Sequence, residues 1–152
     1  MSEKSAALTD TLLKQDEILS GLLDITLRQR EALKEGRLSD LQNLMSEMRH
    51  SSVRAQAIET KRGRAAAEVA FELGCDAVVS EIARRLGGDE SAAMEEAAKK
   101  LMETVKRLKM EMSIFSRLMD EAKTLNEMMI AEWRRLGSKA TGIPTGVFDT
   151  MI

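Results

Sequence analysis

His50 is the only histidine, and with Glu47 it forms Glu-x-x-His, the i, i+3 ligand pair that di-iron sites in four-helix bundles use. Such a site needs two of these pairs and further carboxylates aimed inward. One chain with one histidine supplies only part of it. The apolar positions nearby, Leu41, Leu44, Met45 and Met48, define a buried helix face and leave Glu47 and His50 off its centre,. Both are expected on a solvated surface, and no metal is expected. Cys75 is the only cysteine, so it cannot form an internal disulfide,. As a nucleophile it would lack a base unless His50 lay beside it, and a small half-buried side chain between helices is the expectation. Gly36, Gly74, Gly87 and Gly88 stand where helical patterns stop, without the spacing of a phosphate-cradling loop. The residues capable of chemistry therefore point to no catalytic centre and no cofactor.

The elements that hold these residues follow from composition and period. Of 152 residues, 43% are hydrophobic and 32% charged, enough to bury a core and stay hydrated, unlike a disordered chain. Aromatic residues make up 3% with no Tyr, whereas Met reaches 11, which favours helix over strand. The single proline is Pro144, so long helices are permitted before it,. Net charge is −2, from 23 basic and 25 acidic residues, too balanced for a nucleic acid as main partner. The stretch Arg49 to Arg64 and the pair Arg84, Arg85 are locally basic but lack aromatic residues for base stacking,. The start of the chain has no secretion-signal core, and no apolar run reaches the ~20 residues of a membrane span,. A soluble cytoplasmic protein is expected.

Leu8, Leu12, Ile18, Leu19, Leu22, Ile25 and Leu33 recur with helical period up to Gly36,. Ser39 and Gln42 then read as a capping box for a second helix,, whose stripe runs from Leu41 to Leu73 and stops at Gly74,. A short helix over Asp76 to Leu86 follows. After Gly87 and Gly88, Asp89 is placed to cap the last helix,. Its seam reads Met94, Ala98, Leu101, Val105, Leu108, Met112, Phe115, Met119, Ala122, Asn126, Met129, Trp133 and Leu136, stepping three and four residues alternately, the spacing of a coiled coil. At 1.5 Å per residue this helix would be about 70 Å long against about 40 Å for the first. Either both earlier helices lie along it or another chain does.

Beyond the seam, Ile114, Leu118, Leu125 and Met128 add an apolar stripe on one flank and Ile130 adds to the other, a face wider than one partner helix requires. It is open whether the chain's own core, a homodimer or a recognition groove covers it. Methionines at 102, 110, 112, 119, 128 and 129 suit a groove, because flexible thioethers repack against different apolar ligands.

The order of elements resembles the flagellar export chaperones of the FlgN type. The resemblance is carried by Leu8 to Leu33 with Gln-Arg-Glu-Ala-Leu-Lys-Glu-Gly at 29–36, Leu38 to Leu44, and the Arg-rich end of the second helix with Glu68 to Gly74. The short third helix and Leu125-Asn126-Glu127 in the last one complete it, so that it covers roughly residues 8–136. A second Asn three residues after the first is common in that family, and here Met129 stands in its place. The resemblance implies a non-catalytic cytoplasmic chaperone. It would bind the disordered C-terminal segments of hook-filament junction proteins, prevent their premature assembly and deliver them to the flagellar type III export gate.

The expected fold is all-α, an elongated antiparallel helical bundle or coiled coil with one short third helix and a very long last helix. One domain is expected over residues 1–137, with helices near 6–35, 40–73, 76–86 and 90–136, followed by a flexible tail over 138–152. The expected partner-binding residues are Ile114, Phe115, Leu118, Met119, Leu125, Asn126, Met128, Met129, Ile130 and Trp133. They would hold an amphipathic client helix in a groove. The alternative is a scaffolding coiled coil whose apolar face is a homo-oligomer interface.

Overall fold

The computed structural model describes residues 3–140, with side chains through residue 137. These residues form α1 (Glu3–Lys34), α2 (Leu38–Leu73), α3 (Val79–Leu86) and α4 (Gly88–Ala140), with no strand among them. The fold is all-α with a long last helix, as the low β-branched and aromatic content predicts. Part of the tail expected over 138–152 is helical, since α4 runs to Ala140, and the remainder lies outside the described residues.

Backbone bonding at the breaks shows why the helices stop there. At the end of α1, Gly36 N–H donates to the Leu33 carbonyl at 3.2 Å and Arg37 N–H donates to the Ala32 carbonyl at 2.9 Å. This Schellman-type closure needs a left-handed residue at position 36, and Gly36 takes it with φ +70°. α2 ends in the same way, with Gly74 at φ +66° and Cys75 N–H donating to the Ala70 carbonyl at 3.1 Å.

Three helix starts differ from expectation. The Ser39–Gln42 capping box does not form, because α2 begins at Leu38 and Ser39 is already inside it; Arg37 at the boundary makes no side-chain cap. Its guanidinium donates instead to Glu35 at 2.6 Å and Asp40 at 2.7 Å, tying the turn to the first turn of α2. α3 begins at Val79 rather than near Asp76, since the β-branched Val78 is extended at φ −117°, ψ 128°,. α4 begins at Gly88, so Asp89 lies in its first turn, where a carboxylate favours the positive helix end without capping it.

The chain divides into two compact units, Met1–Ser113 and Ile114–Ile152, with the boundary inside α4. The first unit has a core drawn from all four helices: Leu8 and Leu12 of α1, Val69 and its alanine neighbours of α2, Ile82 of α3, and Met94 and Leu101 of α4. Alanines 66, 70, 83 and 97 sit among them and let the backbones approach closely,. A second cluster joins Leu22 and Leu23 to Leu108, with Met48 and Ala55 packed against it. Met45, expected in the α2 stripe, is exposed instead, while Leu41 and Leu44 are buried.

Polar ties fix helix direction in this unit. Between α1 and α2, Lys4 pairs with Glu72 at 3.0 Å, Gln15 with Glu59 at 2.5 Å and Arg28 with Glu47 at 3.8 Å, so one number rises as the other falls and the helices run antiparallel. Between α1 and α4, Asp16 accepts from the Thr104 hydroxyl and faces Lys100 at 3.7 Å, while Arg30 meets Glu111 at 2.7 Å, so these two run parallel.

Candidate functional site

The chemistry-bearing residues are apart. His50 lies on α2, and Cys75 follows its end. Twenty-four intervening residue steps of helix correspond to about 36 Å at 1.5 Å each, so His50 cannot act as a base for Cys75. Cys75 is half-buried against the first unit's core, as a small packing side chain. Glu47 and His50 are both exposed, and Glu47 is engaged by Arg28 rather than by a metal-ligand set. Among the described residues no group of three or more His, Cys, Asp or Glu side chains could hold a metal ion. Among the same residues no helix is long and apolar enough to cross a membrane.

The second unit contains all ten expected binding residues, on α4. Ile114, Phe115, Leu118, Met119 and Ile130 are half-buried. The others are exposed: Leu125 is 59% accessible, Met128 64%, Met129 44% and Trp133 41%, and Asn126 also faces solvent. Every residue from 121 to 129 is exposed. Leu125 and Met128 line a shallow depression with Thr124, whose rim carries Arg117, Asp120 and Glu121. Charges of both signs border the apolar strip, so apolar contact is the main attraction it offers. Just beyond, the Arg135 guanidinium donates to Glu132 and holds that carboxyl below the usual carboxylate range.

Exposure on this scale is unusual for a monomeric surface, where large apolar side chains are scattered singly. Leu125, Met128 and Met129 stand within one turn of one another, which makes the strip a candidate for helix-in-groove recognition. Asn126, expected at a buried seam position, has no burial cost to meet in this chain. Its amide is free to bond a partner.

A deeper cavity of about 720 Å³ lies in the first unit. Leu12, Val78, Val79, Ala83, Leu101 and Met102 form its apolar walls, and Lys99, Glu103 and Lys106 stand on its rim. The sequence reading missed it because it depends on the extended Val78 before α3, a tertiary feature with no period. The buried polar set on α1 was also missed, although its spacing was available. Gln15, Thr26 and Gln29 continue the three-and-four steps from Leu8 and Leu12 and are buried. Thr26 satisfies its hydroxyl by donating to the Leu22 carbonyl at 2.9 Å,.

With this geometry in place, comparison with known proteins gives one family. No curated protein and no solved structure matches the chain. The family profile described as FlgN protein matches residues 1–141, which takes in the whole first unit and the part of the second that carries the exposed strip of α4. The chain belongs to the FlgN family of flagellar export chaperones.

Proposed function

We propose that this chaperone acts in the cytoplasm on the C-terminal segments of hook-filament junction proteins. It shields them from premature assembly and delivers them to the flagellar type III export apparatus. The observation that carries the reading is the uncovered apolar strip of α4, with Leu125, Met128, Met129 and Trp133 all exposed. A client segment that is disordered alone and amphipathic once helical would bury its apolar face on this strip, gaining roughly 25 cal/mol for each Å² of apolar surface removed from water. It would lose ordering entropy in the process. The affinity left is suited to binding and release rather than permanent assembly. No group transfer is required, and Met side chains adapt to more than one client sequence.

The test is the double variant Leu118→Glu, Met128→Lys, followed by circular dichroism and by titration with a labelled C-terminal segment of a junction protein. Helix content and melting should stay close to wild type while binding weakens at least about tenfold, the equivalent of about 1.4 kcal/mol. Normal binding by the folded double variant, together with lost binding by Met102→Glu, would move the client site to the cavity of the first unit.

A further inference from the structure

Between Arg49 and Arg64, α2 carries five cations and one carboxylate in a chain of net charge −2. That carboxylate, Glu59, is already engaged: Arg62 donates to it at 2.6 and 2.9 Å and Gln15 at 2.5 Å. The other four cations, Arg49, Arg54, Lys61 and Arg64, are exposed and have no carboxylate partner among the described residues. On the same side of α2, opposite its buried Ile58 and Val69, exposed positions Val53, Ala57, Thr60, Arg64, Ala67 and Phe71 step four and three residues alternately. Val53 is 68% accessible and Phe71 89%. The face has the spacing of a second coiled-coil seam, with cations along its edge. Glu47 and Glu68 bound the basic stretch, so it is a patch of limited length and not a uniformly basic surface.

A surface of matching length and opposite charge exists on the same chain. Glu3, Asp10, Glu17, Asp24 and Glu31 of α1 fall seven residues apart and are all exposed, on the side of α1 turned away from its buried stripe. Asp10 and Asp24 each face a cation of their own helix, Lys14 at 3.2 Å and Arg28 at 3.8 Å. Glu3 and Glu17 make no ion pair among the described residues. At 1.5 Å per residue the acidic ridge spans about 42 Å and the basic patch about 22 Å, so the ridge is long enough to cover the patch.

We propose that the outward face of α2 docks the acidic ridge of α1 from a second copy of this chain. Exposed ion pairs are individually weak, so the contact depends on several acting together and on covering Val53 and Phe71. It must weaken as salt screens the charges, since the Debye length falls from about 10 Å at 0.1 M to about 3 Å at 1 M. This association uses neither the α4 strip nor the cavity of the first unit, so it stands or falls separately from client binding.

The experiment measures solution mass by light scattering on the full chain at 50 and 500 mM NaCl. Wild type should show a mass of at least two chains at low salt and one chain at high salt. Arg54→Glu with Lys61→Glu should be a single chain at both, as should Asp10→Lys with Glu17→Lys, each with wild-type helix content. Mixed in equal amounts at 50 mM NaCl, the two double variants should regain a mass of at least two chains, because acidic α2 then meets basic α1. A wild type of one chain at 50 mM, an assembly unaffected by reversing Arg54 and Lys61, or failure of the mixture to reassociate would each overturn the proposal. So would a single-chain wild type that sediments with phosphatidylglycerol vesicles through Arg54 and Lys61, which would assign the face to an anionic membrane.

Discussion

Two stretches of α4 repeat the same three-and-four spacing and meet opposite fates. From Met94 through Leu101 to Leu108, the seam positions enter the core of the first unit beside Leu12, Val69 and Leu22. From Asn126 through Met129 and Trp133 to Leu136, seam positions of the same period are exposed. The period tells which side of a helix is apolar. It does not tell whether that side already has a partner. Under the proposed function that difference is the functional content: one stretch is used for stability and the other would be left for a client.

The largest effect that separates the stretches is in the free chain. Met94→Ala should cost about 2–5 kcal/mol, because Met94 is fully buried and its removal leaves a cavity among Leu8, Ile82 and Leu101,. Met128→Ala should stay within about 0.5 kcal/mol, since little is packed on an exposed side chain,. Denaturant melts of both variants check this, and a loss of several kcal/mol at Met128 would mean that the second stretch is covered in the free chain.

A smaller effect belongs to the polar ties of the first unit. Asp16 is buried and accepts from the Thr104 hydroxyl while facing Lys100. Asp16→Ala should cost about 1–3 kcal/mol by leaving Thr104 without its acceptor, and thermal melts of the variant against wild type measure it. No corresponding buried carboxylate occurs among the described side chains of the second unit.

The smallest expected effect concerns acid. The Arg62 guanidinium, donating to Glu59, holds that carboxyl below its usual range, and Gln15 adds to this. A carboxyl depressed in the folded state contributes stability that is fully present above its unfolded pKa and lost as pH falls through the folded one. Glu59→Gln should therefore flatten the acid limb of the stability curve by under about 1 kcal/mol, since the pair is mostly in water. An unchanged limb would assign acid sensitivity to other carboxyls.

What was legible in the sequence is what local rules decide. Gly36 and Gly74 each stop a helix because the chain must turn left-handed there,, and the absence of proline before position 144 permits the unbroken α4. Ser39 was misleading because the side chains around the turn compete: Arg37 bridges Glu35 and Asp40, and the helix starts before the capping residue. Gln15 and Asp16 were overlooked because the apolar stripe was traced through hydrophobic positions alone, yet both are buried, with Glu59 of α2 and Thr104 of α4 as their partners. Nine of the ten α4 residues were legible as an apolar face, Asn126 being the polar one. That Leu125, Asn126, Met128, Met129 and Trp133 are exposed while the other five are half-buried was not, because accessibility depends on what packs against a helix and no period encodes that.

Hydrogen exchange across α4, with and without a junction-protein C-terminal segment, tests the division between a packed stretch and a client strip most directly. Amides from 94 to 108 should be protected to nearly the global unfolding limit in the free chain, and those from 121 to 133 should exchange by local opening at much lower free energy. Added client segment should slow exchange in 121–133 and leave 94–108 unchanged. Strong protection of 121–133 in the free chain, or no change there when the client binds, would contradict the account.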